Sequence, residues 1–207
     1  MNVLHTLRCV GAASAERLAS VCGSSVDEVV EELSALGEAG LATHDPGPFG
    51  GWSITISGRA KDDEMIGVEL SGSGIRSAVE DVYRRFLSLN PLFLSVCSEW
   101  QMRRIGSSPV LNDHRDTSYD VAVLDRLGRV QDRLTLILTD LAGALSRFST
   151  YQARFDTALE RALGGQVEAV ADSFDSCHSV WFQLHEDLLT SLGISRDEER
   201  RRMTGDE

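Results

Sequence analysis

A stripe of apolar residues in the second half of the chain restricts the folds open to it. Its members recur every three or four positions: Val121, Leu124, Leu127, Val130, Leu134, Leu138, Leu141 and Leu145. That spacing predicts one long helix, which needs a partner helix along its length. Similar patterns predict helices over 75–89, 92–104, 151–163 and 167–192, the first ended by Asn90-Pro91 because a residue before proline disfavours helical backbone. The second half is therefore predicted to be an all-α helical bundle.

The first seventy residues have a different pattern, with three short helices followed by a hairpin. Val3 to Val10 has helical apolar spacing and Ser14 can cap a second helix. Ser25-Val26-Asp27-Glu28 has the form of a capping box, in which the serine and the glutamate each satisfy a free backbone amide at a helix start. The Gly- and Pro-rich stretch 45–51 lies between two short strand patterns. The fold class predicted for the whole chain is therefore mainly α, with one small β-hairpin.

Helix, helix, helix and hairpin in this order resemble a winged helix-turn-helix, particularly the MarR-like and PadR-like branches. The resemblance covers residues 1 to about 70 and rests on the element order, on Leu36-Gly37-Glu38-Ala39-Gly40-Leu41 and on Gly51-Trp52-Ser53-Ile54-Thr55. It implies that the hairpin is a wing and that the third helix enters the major groove of DNA. The predicted layout is a winged helix over 1–70, a linker over 71–74, a helical effector and dimerisation domain over 75–195, and a frayed charged tail over 196–207.

The charge of the N-terminal region conflicts with DNA binding. Residues 1–70 contain eleven acidic residues against four basic ones, Arg8, Arg17, Arg59 and Lys61. Phosphate neutralisation supplies most non-specific affinity for DNA, and this surface would repel phosphates. Three interpretations stay open: the four cations bind DNA from the rim of a homodimer, the domain has become a protein-binding or dimerisation module, or the fold assignment is wrong.

Two polar clusters in the second half are candidates for an effector pocket. Helical spacing puts His178, Trp181 and His185 on one apolar face. They could be hydrogen-bonded core residues, the floor of a ligand pocket, or part of a metal site, although a spacing of seven places the two rings too far apart for one ion without a ring from another helix. Around the loop 105–116, Trp100, Gln101, Arg103 and His114 could form the pocket mouth, with Arg103 anchoring a carboxylate or phosphate. The alternative for this second cluster is helix capping by residues such as Asp116.

The C-terminal region is also similar to helical domains that follow winged helices in actinobacterial regulators. The likeness rests on the elements W-Q-x-R, N-D-H and H-x2-W-F-x-L-H-E-D-L-L, at residues 100–103, 112–114 and 178–189. It implies an effector or dimerisation role without naming a ligand. The Asp-x3-His metal pattern of FadR-type effector domains is absent from the sequence, which lowers the case for a metal.

Several classes of protein are not supported by the sequence. It has no G-x-S-x-G, no P-loop and no dinucleotide fingerprint, so we expect no enzyme and no cofactor. Cys9, Cys22, Cys97 and Cys177 are far apart, which is typical of a reducing cytoplasm. No stretch approaches the roughly 18 apolar residues of a membrane helix. The expected function is a cytoplasmic transcriptional regulator that binds DNA and a small-molecule effector, and the alternative is an acidic adaptor that binds a protein partner.

Overall fold

In the computed structural model, which describes residues 2–47 and 50–204, the chain divides into two contact units. Unit 1 combines residues up to Arg76 with those from His185 onward, and unit 2 is Ser77–Leu184. The prediction of a mainly helical chain with a small antiparallel hairpin is confirmed. In the described part of the chain, no helix has the length and apolar character needed to cross a bilayer. Pro48 and Phe49 of the predicted turn and residues 205–207 of the predicted tail lie outside the described residues.

Unit 1 begins with the elements expected from the sequence. They are α1 (Val3–Val10), α2 (Ala15–Cys22), α3 (Val26–Glu38), β1 (Ala42–Asp45) and β2 (Gly51–Ile54). The capping box at Ser25 is formed in full, with Glu28 bonded back to the Ser25 backbone amide. The strands pair antiparallel, from Ala42 opposite Ile54 to Asp45 opposite Gly51. Leu7, Leu18 and Leu33 form the centre of the core that joins the three helices to the hairpin.

A fourth helix, α4 (Ile56–Glu69), follows the hairpin and was not predicted. Its inward positions recur every four residues at Gly58, Asp62, Ile66 and Leu70, so only two of them are apolar and the usual apolar stripe is missing. Gly58 is needed there, because a Cβ atom would lie 2.0 Å from the Leu41 carbonyl oxygen. Thr55 caps the helix by accepting a hydrogen bond from the Gly58 amide. This close approach of α4 to the hairpin brings Asp62 into the interior of unit 1.

Unit 2 consists of helices with one short hairpin, and two helices extend past its boundaries. The elements are α5 (Ile75–Gln101), β3 (Met102–Ile105), β4 (Ser108–Leu111), α6 (Thr117–Ala144), a 3-10 turn (Ser146–Phe148), α7 (Ser149–Leu163), α8 (Glu168–Ala171) and α9 (Cys177–Leu192). The long helix expected from the leucine stripe is confirmed as α6, which packs against α7. The prediction of an all-α second half is wrong, because β3 and β4 form an antiparallel hairpin across the end of the predicted helix 92–104 and the start of the predicted loop.

Helix α5 continues through Pro91, so the predicted break at Asn90-Pro91 is also wrong. Proline inside a helix removes one hydrogen bond and crowds the preceding turn, at a cost of about 3 kcal/mol. Phe86 and Leu89 before the proline and Phe93 and Val96 after it are all at most 1% exposed. Burying four such side chains on one face, each contributing roughly 1.5–3 kcal/mol, outweighs the local cost.

The end of the chain also differs from the prediction. The expected helix over 167–192 is interrupted between α8 and α9, and the tail forms helix α10 (Arg196–Thr204) where fraying was expected. Ser195 and Glu198 make a second capping box at its start. Glu199 of α10 is 7% exposed and lies 2.7 Å from the Nε2 atom of His185. This buried contact and the capping box hold the charged segment in a helix.

Candidate functional site

A buried cluster of titratable side chains connects three helices of unit 1. His5 and Cys9 are one turn apart on α1, Asp62 comes from α4, and Asp187 comes from α9. The His5 Nδ1 atom lies 3.1 Å from both carboxylate oxygens of Asp62, and its Nε2 atom lies 3.0 Å from Asp187 Oδ1. The Cys9 Sγ atom is 3.6 Å from the same Nε2 atom. Each of the four residues is at most 4% exposed.

Further side chains hold the two carboxylates of this cluster in place. Arg8 Nη1 donates to Asp62 at 3.1 Å and to Asp63 at 2.6 Å. The hydroxyl of Ser191, one turn after Asp187 on α9, lies 3.2 Å from Asp187 Oδ1. Neither carboxylate is therefore left without a donor, as buried anions require. The orientation of the His5 ring and of each carboxylate is therefore fixed by more than one contact.

Burial and the two carboxylates act on the His5 pKa in opposite directions. Desolvation is the largest single influence and lowers the pKa, but the charges and hydrogen bonds of Asp187 and Asp62 together raise it well above its usual value. A pKa raised in this way favours the imidazolium form of the ring, which donates from both nitrogens. Burial raises the pKa of the Cys9 thiol, against a smaller opposing effect of His5. Cys9 is then a thiol beside a cation.

A cleft of about 470 Å³ lies at the edge of this cluster and is lined in part by Arg8 and Ser191, the two residues that contact its carboxylates. Its charged lining includes Arg76, Arg196 and Glu186, and its apolar lining includes Leu70. Arg196 is paired with Glu186 at 2.9 Å. Arg76 donates to the Leu192 carbonyl oxygen at 3.5 Å. The cleft is therefore mixed in polarity, and at least two of its arginines already make contacts within unit 1.

The four cations predicted to contact DNA lie in different environments. Arg8 is bound to Asp62 and Asp63, so its charge is neutralised within the protein. Lys61 pairs with Glu64 at 2.9 Å on the surface of α4. Arg17 is partly buried and Arg59 is exposed. DNA contact by these residues stays a prediction, and the exposed Arg59 is better placed for such contact than Arg8.

The outward face of α3 is acidic. Asp27, Glu31 and Glu38 are exposed and lie on one side of the helix, with Ser34 between them, at spacings of four, three and four. Val26 and Val30 lie beside this row and are 40% and 45% exposed. The buried side of the helix is formed by Val29 and Leu33. We call the exposed row with its two valines the α3 acidic face.

The predicted pocket-mouth residues form a hydrogen-bonded cluster in unit 2. Trp100 is buried and donates to the Val167 carbonyl oxygen at 2.9 Å, and its ring lies 4.6 Å from that of His114. The His114 Nδ1 atom is 3.0 Å from Asp120, and Gln101 donates to Asp172. Arg103 pairs with Asp116 at 3.4 Å, while Asp116 also caps α6. Asp116 therefore has the helix-capping role that was the alternative for this cluster.

The three predicted floor residues do not share one environment. Trp181 stacks on Phe93 at 4.1 Å and on Phe86 at 4.7 Å, and its indole nitrogen donates to Asn90. The His178 ring lies 6.3 Å from that of Phe93. His185 belongs to unit 1, where it contacts Glu199. Trp181 and His185 thus have the hydrogen bonds expected of core residues, and an effector pocket at these residues stays a prediction.

Sequence reasoning missed the His5 cluster, although one part of it was visible. A histidine and a cysteine four residues apart on a helix lie on the same face, and His5 and Cys9 have this spacing. Asp62 is 57 residues away on a helix that was not predicted. Asp187 is near the other end of the chain. The sequence contains no signal that would join these two carboxylates to α1.

Comparisons with known proteins give no further assignment: no family model, no curated protein and no solved structure matches this chain. The chemistry of the described residues is therefore the basis for the function proposed below.

Proposed function

We propose that this protein is a winged-helix adaptor that binds a basic surface of a protein partner through its α3 acidic face. The order of three helices, an antiparallel hairpin and a shared core supports the winged-helix part of the proposal. In that fold, the third helix and the wing are the usual recognition elements. The composition of α3 then decides which kind of partner it can approach.

The acidic row on α3 is the observation that carries the proposal. Asp27, Glu31 and Glu38 are exposed, and the 13 residues of the helix include neither lysine nor arginine. A recognition helix in the major groove lies between two rows of phosphates, which would be repelled by these carboxylates. A protein surface with lysines or arginines around an apolar centre complements both the carboxylates and the exposed valines Val26 and Val30.

The remaining cations of the N-terminal region support the same conclusion. Arg8 and Lys61 are each paired with carboxylates of α4. A DNA-binding mode would then set few cations against the eleven acidic residues of this region. The DNA-binding regulator expected from the resemblance is therefore the alternative that the experiments test. Such a regulator would bind DNA as a homodimer that brings the basic side chains of two copies together.

The first experiment measures DNA binding directly. The purified full chain is titrated against a fluorescent duplex from its own upstream region and against a scrambled duplex, at two salt concentrations. We expect no change in anisotropy with either duplex, even at low salt. Preferential binding to the upstream duplex that weakens with salt would overturn the adaptor proposal and establish the regulator.

The second experiment locates the partner-binding face in the cells that make the protein. A photo-cross-linking amino acid replaces Val30 on the α3 acidic face, and the control carries it at Val68, an equally apolar residue that is 75% exposed on α4. We expect one defined protein to be cross-linked from position 30 and not from position 68. Glu31→Lys in the same background should abolish that product. Cross-links that are the same from both positions, or unaffected by Glu31→Lys, would contradict the proposal.

A further inference from the structure

We propose that His5, Cys9 and Asp187 bind a divalent transition-metal ion, with zinc as the best match. Each residue offers one ligand atom to the same small region: the Nε2 atom of His5, the Sγ atom of Cys9 and a carboxylate oxygen of Asp187. All three atoms lie within 4.8 Å of one another, and all three residues are buried. This inference is independent of the adaptor proposal, since it uses no residue of the α3 acidic face.

The separations of the ligand atoms are close to those of a tetrahedral zinc site. Bond lengths of about 2.0–2.3 Å and tetrahedral angles give ligand atoms roughly 3.4–3.6 Å apart. The Cys9 Sγ and His5 Nε2 atoms are 3.6 Å apart, and the Asp187 Oδ1 and His5 Nε2 atoms are 3.0 Å apart. The Cys9 Sγ atom and the Asp187 oxygen are at most 4.8 Å apart, so an ion can enter once the Asp187 carboxylate moves away from His5 and settles at bonding distance from the ion. Imidazole, thiolate and carboxylate are also the three ligand types that zinc takes in proteins.

The surrounding residues supply the outer contacts typical of a metal site. A ligating histidine usually donates its other ring N–H to a carboxylate, which fixes the ring and makes it a better ligand. Asp62 is in that position, with both oxygens 3.1 Å from the His5 Nδ1 atom. Arg8 in turn holds Asp62, and Ser191 holds Asp187. Two of the three ligands thus have an outer partner that sets their orientation.

The charges balance when an ion replaces two protons. Zn²⁺ displaces one proton from the Cys9 sulfur and one from the His5 Nε2 atom, leaving a thiolate, a neutral imidazole and a carboxylate around the ion. The ligand charge of minus two neutralises the ion, and Asp62 remains paired with the His5 Nδ1–H and with Arg8. Three protein ligands leave the fourth position to water or to a small exogenous ligand.

The location of the ligands predicts a structural role for the ion. His5 and Cys9 belong to α1, whereas Asp187 belongs to the part of α9 that completes unit 1. An ion bound to all three ties the two chain segments of unit 1 together, so its binding free energy adds to the stability of that unit. Their burial also makes access by a substrate-sized molecule unfavourable.

The test uses the full chain without an affinity tag, freed of metal with a chelator and then titrated with Co²⁺ alone or Zn²⁺ alone. We expect one Co²⁺ per chain with a thiolate-to-cobalt charge-transfer absorption, and a higher Tm after addition of one Zn²⁺ per chain. Cys9→Ser should lose the charge-transfer absorption and the Tm increase. The matched control is Cys22→Ser, which removes another buried cysteine of unit 1 and should keep both.

A second measurement keeps the proposal falsifiable if Cys9→Ser does not fold. X-ray absorption of the zinc-loaded wild-type chain should show one sulfur at about 2.3 Å and nitrogen or oxygen ligands at about 2.0–2.2 Å. Asp62→Asn should weaken Zn²⁺ binding by about 10- to 100-fold, because it removes the partner of the ligating ring. Sub-stoichiometric binding, a zinc shell without sulfur, or equal behaviour of Cys9→Ser and Cys22→Ser would overturn the site.

Discussion

Two neighbouring aspartates on α4 provide a direct test of the buried cluster. Asp62 and Asp63 both accept a hydrogen bond from Arg8 Nη1, but the Asp62 side chain is 0% exposed and that of Asp63 is 58% exposed. Asp62→Asn and Asp63→Asn make the same chemical change on the same helix beside the same arginine. The difference between the two variants therefore isolates the effect of burial and of the second partner, His5.

The expected losses of stability follow from these environments. Removing one member of a buried ion pair typically costs about 3–5 kcal/mol, because the remaining charge stays buried without its partner. In Asp62→Asn, His5 keeps Asp187 and Arg8 keeps Asp63 as charged partners, and the asparagine oxygen can still accept from one of them. We therefore expect the low end of that range, about 3 kcal/mol. For Asp63→Asn the expected loss is about 0–1 kcal/mol, since exposed ion pairs contribute little.

Urea unfolding followed by the far-ultraviolet helical signal measures both losses. The experiment is done at neutral pH with a chelator present, because bound metal would add to the stability of the wild-type chain. With a denaturant slope of about 2 kcal/mol per M, the midpoint should fall by roughly 1.5 M for Asp62→Asn and by no more than about 0.5 M for Asp63→Asn. Equal losses, or a larger loss for Asp63→Asn, would refute the view that the buried cluster stabilises unit 1.

Three further predictions concern other parts of the chain. Pro91→Ala should raise the free energy of unfolding, measured in urea, by about 2 kcal/mol. Proline inside a helix costs roughly 3 kcal/mol, whereas its restriction of the unfolded chain contributes only about 1 kcal/mol of stability. A lower free energy of unfolding would show that the packing of α5 requires the proline. Ser25→Ala should cost about 1 kcal/mol in the same assay, against no change for the exposed Ser34→Ala. Burial raises the pKa of Cys97 and Cys177 to about 12 each, so at pH 8 these thiols should react with a thiol reagent about a thousandfold more slowly than in urea, and equal rates would contradict their burial.

The local elements of the fold were largely predictable from the sequence. The capping box at Ser25 and the leucine stripe of α6 are short-range signals, and both elements formed where they were expected. The errors come from tertiary packing that overrides local preference. Pro91 predicts a helix end, yet the buried residues on both sides keep α5 continuous. Helix α4 lacked an apolar stripe because its inward positions include Gly58 and Asp62.

The candidate site was less predictable, for a physical reason. Sequence spacing detects residues on one helix, and it correctly joins His5 to Cys9. It does not report which distant segments pack against that helix, and Asp62 and Asp187 arrive only through the packing of unit 1. The sequence emphasised His178, Trp181 and His185 instead, because aromatic and polar residues on one helix face resemble a pocket before their partners are known.

The discontinuous composition of unit 1 has a consequence for biosynthesis. The ribosome delivers His5 and Asp62 early, but Asp187 follows only after the whole of Ser77–Leu184 has been made. At about 5–20 residues per second, the delay between Asp62 and Asp187 is roughly 6–25 seconds. During that time α1 and α4 can meet while the second carboxylate is still absent, whereas unit 2 is contiguous and can fold as it emerges. The N-terminal segment of the nascent chain therefore exposes part of its future interior until α9 and α10 have been synthesised.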